Sequence, residues 1–229
     1  MSLLPLGAAL VVLMIDSAIE LSLISSMVGY LHRSGANKYP FDLGDGTSAV
    51  INAKPVGLLL NEGHTSNGAA GTALVLICFG GFLVLWHQRR RERKRNANAA
   101  LGLSRVFLAY TIFTILSFLL TLSALAYTFA VSNQTKGQTI DKTVAAQFQG
   151  NAYPKDQWTP GTWTKALLSL PITSDRDAAY LRQWLRVMEG WKWNLIPLFL
   201  IGLVVASLSV MHCQQQRRRQ TSTATADDK

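Results

Sequence analysis

Two carboxylates in an otherwise apolar stretch, Asp16 and Glu20, are the residues whose type and spacing could do chemistry. At i and i+4 they share one face of a helix, near the middle of the 29-residue run Leu3–Leu31. A charge at the centre of a bilayer costs about 2.5–3.5 kcal/mol on insertion scales, so such acids face protein or water. The chemistry open to them is a proton relay, a cation site, or general acid–base work on a lipophilic substrate, as in a small intramembrane isomerase or cyclase. A buried polar pair that sets helix register is the reading without chemistry. Hydroxyls on a neighbouring helix at matching depth would serve as partners, with Ser117 and Thr121 the expected ones.

The elements that must hold this pair are apolar runs separated by polar segments. The chain has 229 residues, 49% of them hydrophobic, and a mean hydropathy of only +0.19. Bunching, rather than the average, is the membrane signature. Ala69 to Trp86 carries no formal charge over 18 residues, and Val106 to Val131 none over 26. Between them lies a basic run containing Arg89, Arg90, Arg91, Arg93, Lys94 and Arg95. Two apolar spans joined by a cationic loop predict a transmembrane hairpin with that loop in the cytosol.

The spacing predicts four spans, at about residues 3–31, 69–87, 104–131 and 193–212. Outer loops cover 32–68 and 132–192, a basic cytosolic loop covers 88–103, and both termini fall in the cytosol. The first span is expected to be uncleaved, because no Lys or Arg precedes Leu3 and Asp16 spoils the small-x-small site ending at Ala18. In the third span Tyr110, Thr114, Ser117, Thr121, Ala124 and Thr128 recur at helical spacing. The fourth repeats the device with Gly202, Ala206, Ser209 and Cys213. Such small and hydroxylated stripes pack helix on helix in lipid, so Thr114, Ser117, Thr121, Gly202, Ala206 and Ser209 are the expected packing residues. Gly71, Gly80 and Gly81 are expected to allow close approach in the second span. Ala18, Ser22, Ser25 and Gly29 form a further small-residue stripe roughly opposite the acid face, and it suits a partner protein or a second packed side.

The outer segments carry their own signals. Ala49–Ile51 and Val56–Leu60 read as two short strands or a re-entrant edge. Thr159-Pro160 reads as a helix start that Pro171 closes. Ser174 with Asp177 reads as the cap of an amphipathic helix leading into the last span, with Pro197 as a kink. The tail 213–229 reads as disordered.

The net charge of +9 flanks spans, which points to lipid headgroups and topology rather than nucleic acid. Arg217, Arg218 and Arg219 repeat the pattern near the end of the chain. Of two cysteines, Cys78 falls inside a span and Cys213 at a span end. No disulfide is therefore expected in the outer loops, and Cys213, followed by a basic cluster, is a lipidation candidate. Asn133-Gln-Thr135 is a glycosylation sequon. His32 and His64 read as solvated loop histidines, so neither a metal nor a cofactor is expected.

The run from Trp158-Thr-Pro-Gly-Thr-Trp163 through Leu170-Pro-Ile, Asp175-Arg-Asp177 and Trp193-Asn-Leu-Ile-Pro-Leu-Phe-Leu200 resembles a pattern in uncharacterised four-span membrane proteins of filamentous fungi. The resemblance covers roughly residues 150–212. It implies a fungal source and a four-span layout, and it carries no activity with it.

The expected architecture is an all-α integral membrane protein, a four-transmembrane-helix bundle spanning 1–212 with a luminal or extracellular cap of short amphipathic helices. The expected role is a membrane organiser or accessory subunit that binds membrane lipid and other membrane proteins, or itself, and not nucleic acid. Its place is the secretory pathway or plasma membrane. The alternatives are the small enzyme built on Asp16 and Glu20, and an accessory to proton- or ion-coupled transport.

Overall fold

The structure, a computed structural model, describes residues 3–94 and 104–227, with side chains for 3–91 and 104–218. In chain order it contains α1 (Leu4–Ser34), β1 (Lys38–Asp42), β2 (Ser48–Asn52), α2 (Asn61–Thr72), a π-helical segment (Ala73–Phe79), α3 (Gly80–Lys94), α4 (Arg105–Gln134), α5 (Lys142–Gln147), α6 (Pro160–Ser169) and α7 (Asp175–Asp227). Four helices are long and apolar enough to cross a membrane: Leu4–Ser34, Asn61–Arg91, Arg105–Gln134 and Asp175–Arg218.

Three boundaries differ from the sequence reading. The second long helix begins at Asn61 instead of Ala69. Gly, Asn, Ser and Thr are weak helix formers, so the segment Asn61–Gly68 reads as loop by propensity, and burial of Glu62, Gly63 and Ser66 overrides it. Helix α7 runs unbroken from Asp175 to Asp227, with Pro197 inside it. The expected amphipathic helix, last span and tail are therefore one element, and the run Gln214–Arg218, rich in good helix formers, continues it. The third difference is the hairpin. Ser48–Asn52 is a strand, but its partner is Lys38–Asp42, in register Phe41↔Ala49. Pro40 hides that strand from a sequence reading. Val56–Leu60 is instead tied by Val56 N–H to Tyr153 O and Leu59 N–H to Trp158 O.

The chain divides into two compact units. The first takes residues 1–20, 68–123 and 195–229, and the second 21–67 and 124–194.

In the first unit, segments of all four long helices contribute buried residues: Leu6, Leu10 and Leu13 of α1, Ile77 and Cys78 of the π-helical segment, Phe107 and Tyr110 of α4, Leu198 and Val205 of α7. The Phe118 and Phe199 rings stack 5.2 Å apart, and Phe107 meets His212 edge-on at 5.0 Å. Gly81 is where close approach is required. A Cβ there would stand 2.5 Å from the Tyr110 hydroxyl and 2.8 Å from Leu10 Cδ1. Gly71 and Gly80 have open space at the same position.

The second unit has its own core. The hairpin turns inward Tyr39, Phe41, Ala49 and Ile51, alternate residues of two paired strands. They pack with Tyr153, Trp158, Trp163, Leu167 and Leu181. The Trp163 indole N–H donates to Ala53 O at 2.7 Å, so this large ring is buried without an orphaned donor. Helix α6 opens on Thr159, whose hydroxyl accepts from Thr162 N–H, while the Thr162 side chain accepts from Thr159 N–H. A second cluster joins Ile24, Met27, Tyr30 and Leu31 of α1 to Met188 and Trp191 of α7, with Tyr30 stacked 4.6 Å from Trp184.

Candidate functional site

The buried face of α1 follows Leu6, Leu10, Leu13, Ser17, Glu20, Ile24, Met27 and Leu31. Spacings of three and four keep such a stripe on one side of a helix. Glu20 lies on it and is fully buried, whereas Asp16 sits at its edge and is half-buried. The two acids therefore differ in burial, and Ser17 takes the central position of the stripe beside them, donating to Leu13 O at 2.6 Å. Asp16 Oδ2 is buried and has no hydrogen-bond partner among the described residues. On α4, Thr114, Ser117 and Thr121 are all buried. The Thr121 hydroxyl donates to Ser117 O at 3.0 Å and the Thr114 hydroxyl to Thr111 O at 2.7 Å. Bonding back to the helix's own carbonyls is the usual local solution for such hydroxyls.

The other small residues divide. Ala206 and Ser209 of α7 are buried, and Gly202 is half-buried with open space where a Cβ would stand. Ala18, Ser22 and Ser25 of α1 are exposed, and Gly29 is half-buried. Asn133 is exposed at the end of α4, while Thr135 of its sequon is buried and accepts at 3.2 Å from the Thr162 hydroxyl. Cys213 is buried on α7 and Cys78 in the π-helical segment. Arg89, Arg90, Arg217 and Arg218 are exposed and Arg91 half-buried, with the Arg90 guanidinium 3.9 Å from the Trp86 ring centroid. The side chains of Arg93, Lys94 and Arg219, and all of Arg95, lie outside the described residues.

A third acid, unread in the sequence, is the sharper feature. Glu62, in the first turn of α2, is 1% exposed, and neither carboxylate oxygen has a hydrogen-bond partner on another described residue. Its backbone carbonyl accepts the Ser66 hydroxyl at 2.7 Å, and that hydroxyl lies 3.3 Å from the Thr128 hydroxyl of α4. A buried carboxyl without partners is costly and calls for an explanation. The signal available in the sequence was the spacing of Glu62, Ser66, Ala69 and Ala73, which continues the apolar helix backwards at helical period. The turn-rich stretch before it masked that spacing.

Glu62 lines a groove of about 580 Å³ within the second unit, between α1 and the start of α2. Ile24, Met27, Leu31, Leu58 and Leu60 supply apolar walls, and Lys54, His32 and His64 the polar ones. His32 Nδ1 donates to Val28 O at 2.9 Å. Gly63 leaves room there, since a Cβ on it would contact only Met27 Cε, at 3.6 Å. A second cavity, of about 540 Å³, lies between the end of α4, the start of α6 and α7. Neither is lined by Asp16 or Glu20, so the two acids legible in the sequence border no large cavity of these two. Among the described residues no group of three His, Cys, Asp or Glu is placed to hold a metal. No family model, curated protein or solved structure matches this chain.

Proposed function

We propose that the chain is a multi-pass membrane organiser or accessory subunit that binds other membrane proteins, or a second copy of itself, through the faces of its spans. The four long helices form a transmembrane bundle in this reading. The segments between α1 and α2 and between α4 and α7 lie on the luminal or extracellular side, and both termini are cytosolic. The density of arginine at 89–95 and 217–219 supports that orientation, since basic residues close to span ends mark the cytosolic face. The same arginines would touch anionic headgroups.

The observation that carries the reading is the exposed α1 face of Ala18, Ser22 and Ser25. Its small side chains and hydroxyls suit close helix–helix contact in lipid, while the opposite face of α1 already packs within the chain. Cross-linking in native membranes tests it. Ser22→Leu with Ser25→Leu should abolish cross-linked species while leaving the monomer's abundance unchanged, and Val12→Leu on the exposed side should not. An unaltered cross-linking pattern in the double variant would remove the basis of the proposal.

The groove favours a second reading, in which Glu62 acts as an acid or base on a lipophilic substrate beside His32 and His64. It moves the catalytic alternative away from Asp16 and Glu20. Loss of turnover in Glu62→Gln, with retained fold, is its signature.

A further inference from the structure

We propose that the cavity lined by Lys136, Lys165 and Lys192 binds the phosphate headgroup of an anionic membrane lipid. The inference rests on the membrane-spanning reading of α4 and α7. Three lysines line the cavity against one acid, Glu189, so its wall carries an excess of positive charge. Glu189 is held by Lys165 at 2.5 Å, by Lys192 at 3.3 Å and by the Trp193 indole N–H at 3.2 Å. It therefore fixes two ammonium groups in place without neutralising both. Lys136 forms no ion pair among the described residues and is exposed. Gly161, at the start of α6, lines the same cavity. Pro160 has no N–H and that of Thr162 is taken by the Thr159 hydroxyl, so in this first turn the Gly161 N–H is the one left without an intrahelical acceptor, and such a group favours anions.

The surroundings choose a lipid over a soluble anion. Phe129 and Trp193 form the apolar wall, their rings edge-on at 5.3 Å, and Trp193 is 54% exposed. Lys192 Nζ stands 5.7 Å from the Phe129 ring centroid and 5.2 Å from that of Trp193. Tryptophan beside lysine at the edge of an apolar run marks the headgroup level of a bilayer. On α4 the apolar run stops at Val131, and the next residues, Ser132 and Asn133, already line the cavity. An occupant would thus have its charge among lysines and its apolar part beside Phe129 and Trp193. The volume of about 540 Å³ is in the range of small-molecule sites.

The test uses the full-length protein in phosphatidylcholine nanodiscs carrying photoactivatable phosphatidylglycerol or, in parallel, photoactivatable phosphatidylcholine. Labelled positions are mapped by mass spectrometry. Phosphatidylglycerol should label the cavity residues selectively, and Lys136→Ala and Lys192→Ala should each reduce labelling there about fivefold. Glu189→Gln should increase it, which loss of a merely structural residue would not do. Lys136 is exposed, so its variant remains informative if Lys192→Ala fails to fold. Equal labelling by the two lipids, or labelling indifferent to Lys136→Ala, would overturn the proposal. Displacement by inorganic phosphate would assign the site to a soluble anion, and displacement by an acidic peptide to a protein partner; either overturns it. Alkaline carbonate extraction separates the two failures. Protein released by carbonate defeats the spanning reading, whereas protein that stays in the membrane without selective labelling defeats only this site.

Discussion

The Tyr110 hydroxyl donates to the Ile77 carbonyl at 3.2 Å, joining α4 to the π-helical segment. Ile77 O also accepts from Gly80 N–H at the end of that segment. A π-helical stretch widens the turn and is rare outside functional or strained positions. Here a hydroxyl from a neighbouring helix bonds a carbonyl within it, and Gly81 supplies the space for the ring. Glycine, tyrosine and the altered helix are one local solution.

Gly81→Ala should therefore destabilise the protein by about 1–3 kcal/mol, the usual cost of overpacking a tight contact. Tyr110→Phe should cost about 1 kcal/mol for the lost hydrogen bond. Because the nearest offending atom is the Tyr110 hydroxyl, with Leu10 Cδ1 next at 2.8 Å, the two changes should be partly non-additive, with alanine at 81 better tolerated, though not fully, beside phenylalanine at 110. Thermal unfolding of the four proteins in one detergent measures the cycle. Additive losses would show that the contact does not govern the site.

Glu62 makes the opposite prediction. Replacing a buried carboxyl that lacks partners by a side chain of similar size removes a desolvation cost. Glu62→Leu should raise stability by about 1–3 kcal/mol, read as a higher unfolding midpoint. A falling midpoint would mean that the carboxyl has a stabilising contact. If the groove hosts chemistry, the same substitution should raise stability and abolish turnover together, as a group retained for function at the expense of stability does.

Asp141 gives a pH dependence. Its carboxylate accepts from Thr143 and Val144 N–H at 3.0 and 3.3 Å, capping α5, and pairs with Lys155 at 3.1 Å. The Lys155 ammonium, first, and the backbone donors hold its pKa below the usual carboxylate range. A folded-state pKa below the unfolded one means that the stabilisation is complete above the unfolded value. It is lost as pH falls through the lower folded value. Amide-exchange protection of Ala145–Gln147 should therefore hold from neutral pH to about pH 4 and decline below it. In Asp141→Asn the decline should be absent, with protection lower throughout.

Some of this was legible without coordinates. Long uncharged runs must become helices in a membrane because every backbone donor and acceptor needs an internal partner, so four long apolar helices follow from composition alone. The Thr159-Pro160 start of α6 was readable because capping is local chemistry of three or four residues. The α4 pattern of Tyr110, Thr114, Ser117 and Thr121 named a face by period alone.

Only tertiary structure decided which polar groups are buried together. Periodicity places Asp16 and Glu20 on one broad face, but contact with the other helices puts Glu20 on the packed stripe and Asp16 at its edge. Glu62 lies in a stretch of poor helix formers, Asn61–Gly68, so local propensity argues for loop, and packing alone extends α2 to include it. The lysine-lined cavity joins residues from 129 to 193, a convergence of the end of α4 and the start of α6 with a stretch well inside α7. Local sequence determines what each segment can form. The burial of one segment against another, which depends on residues far away in the chain, determines which side chains meet.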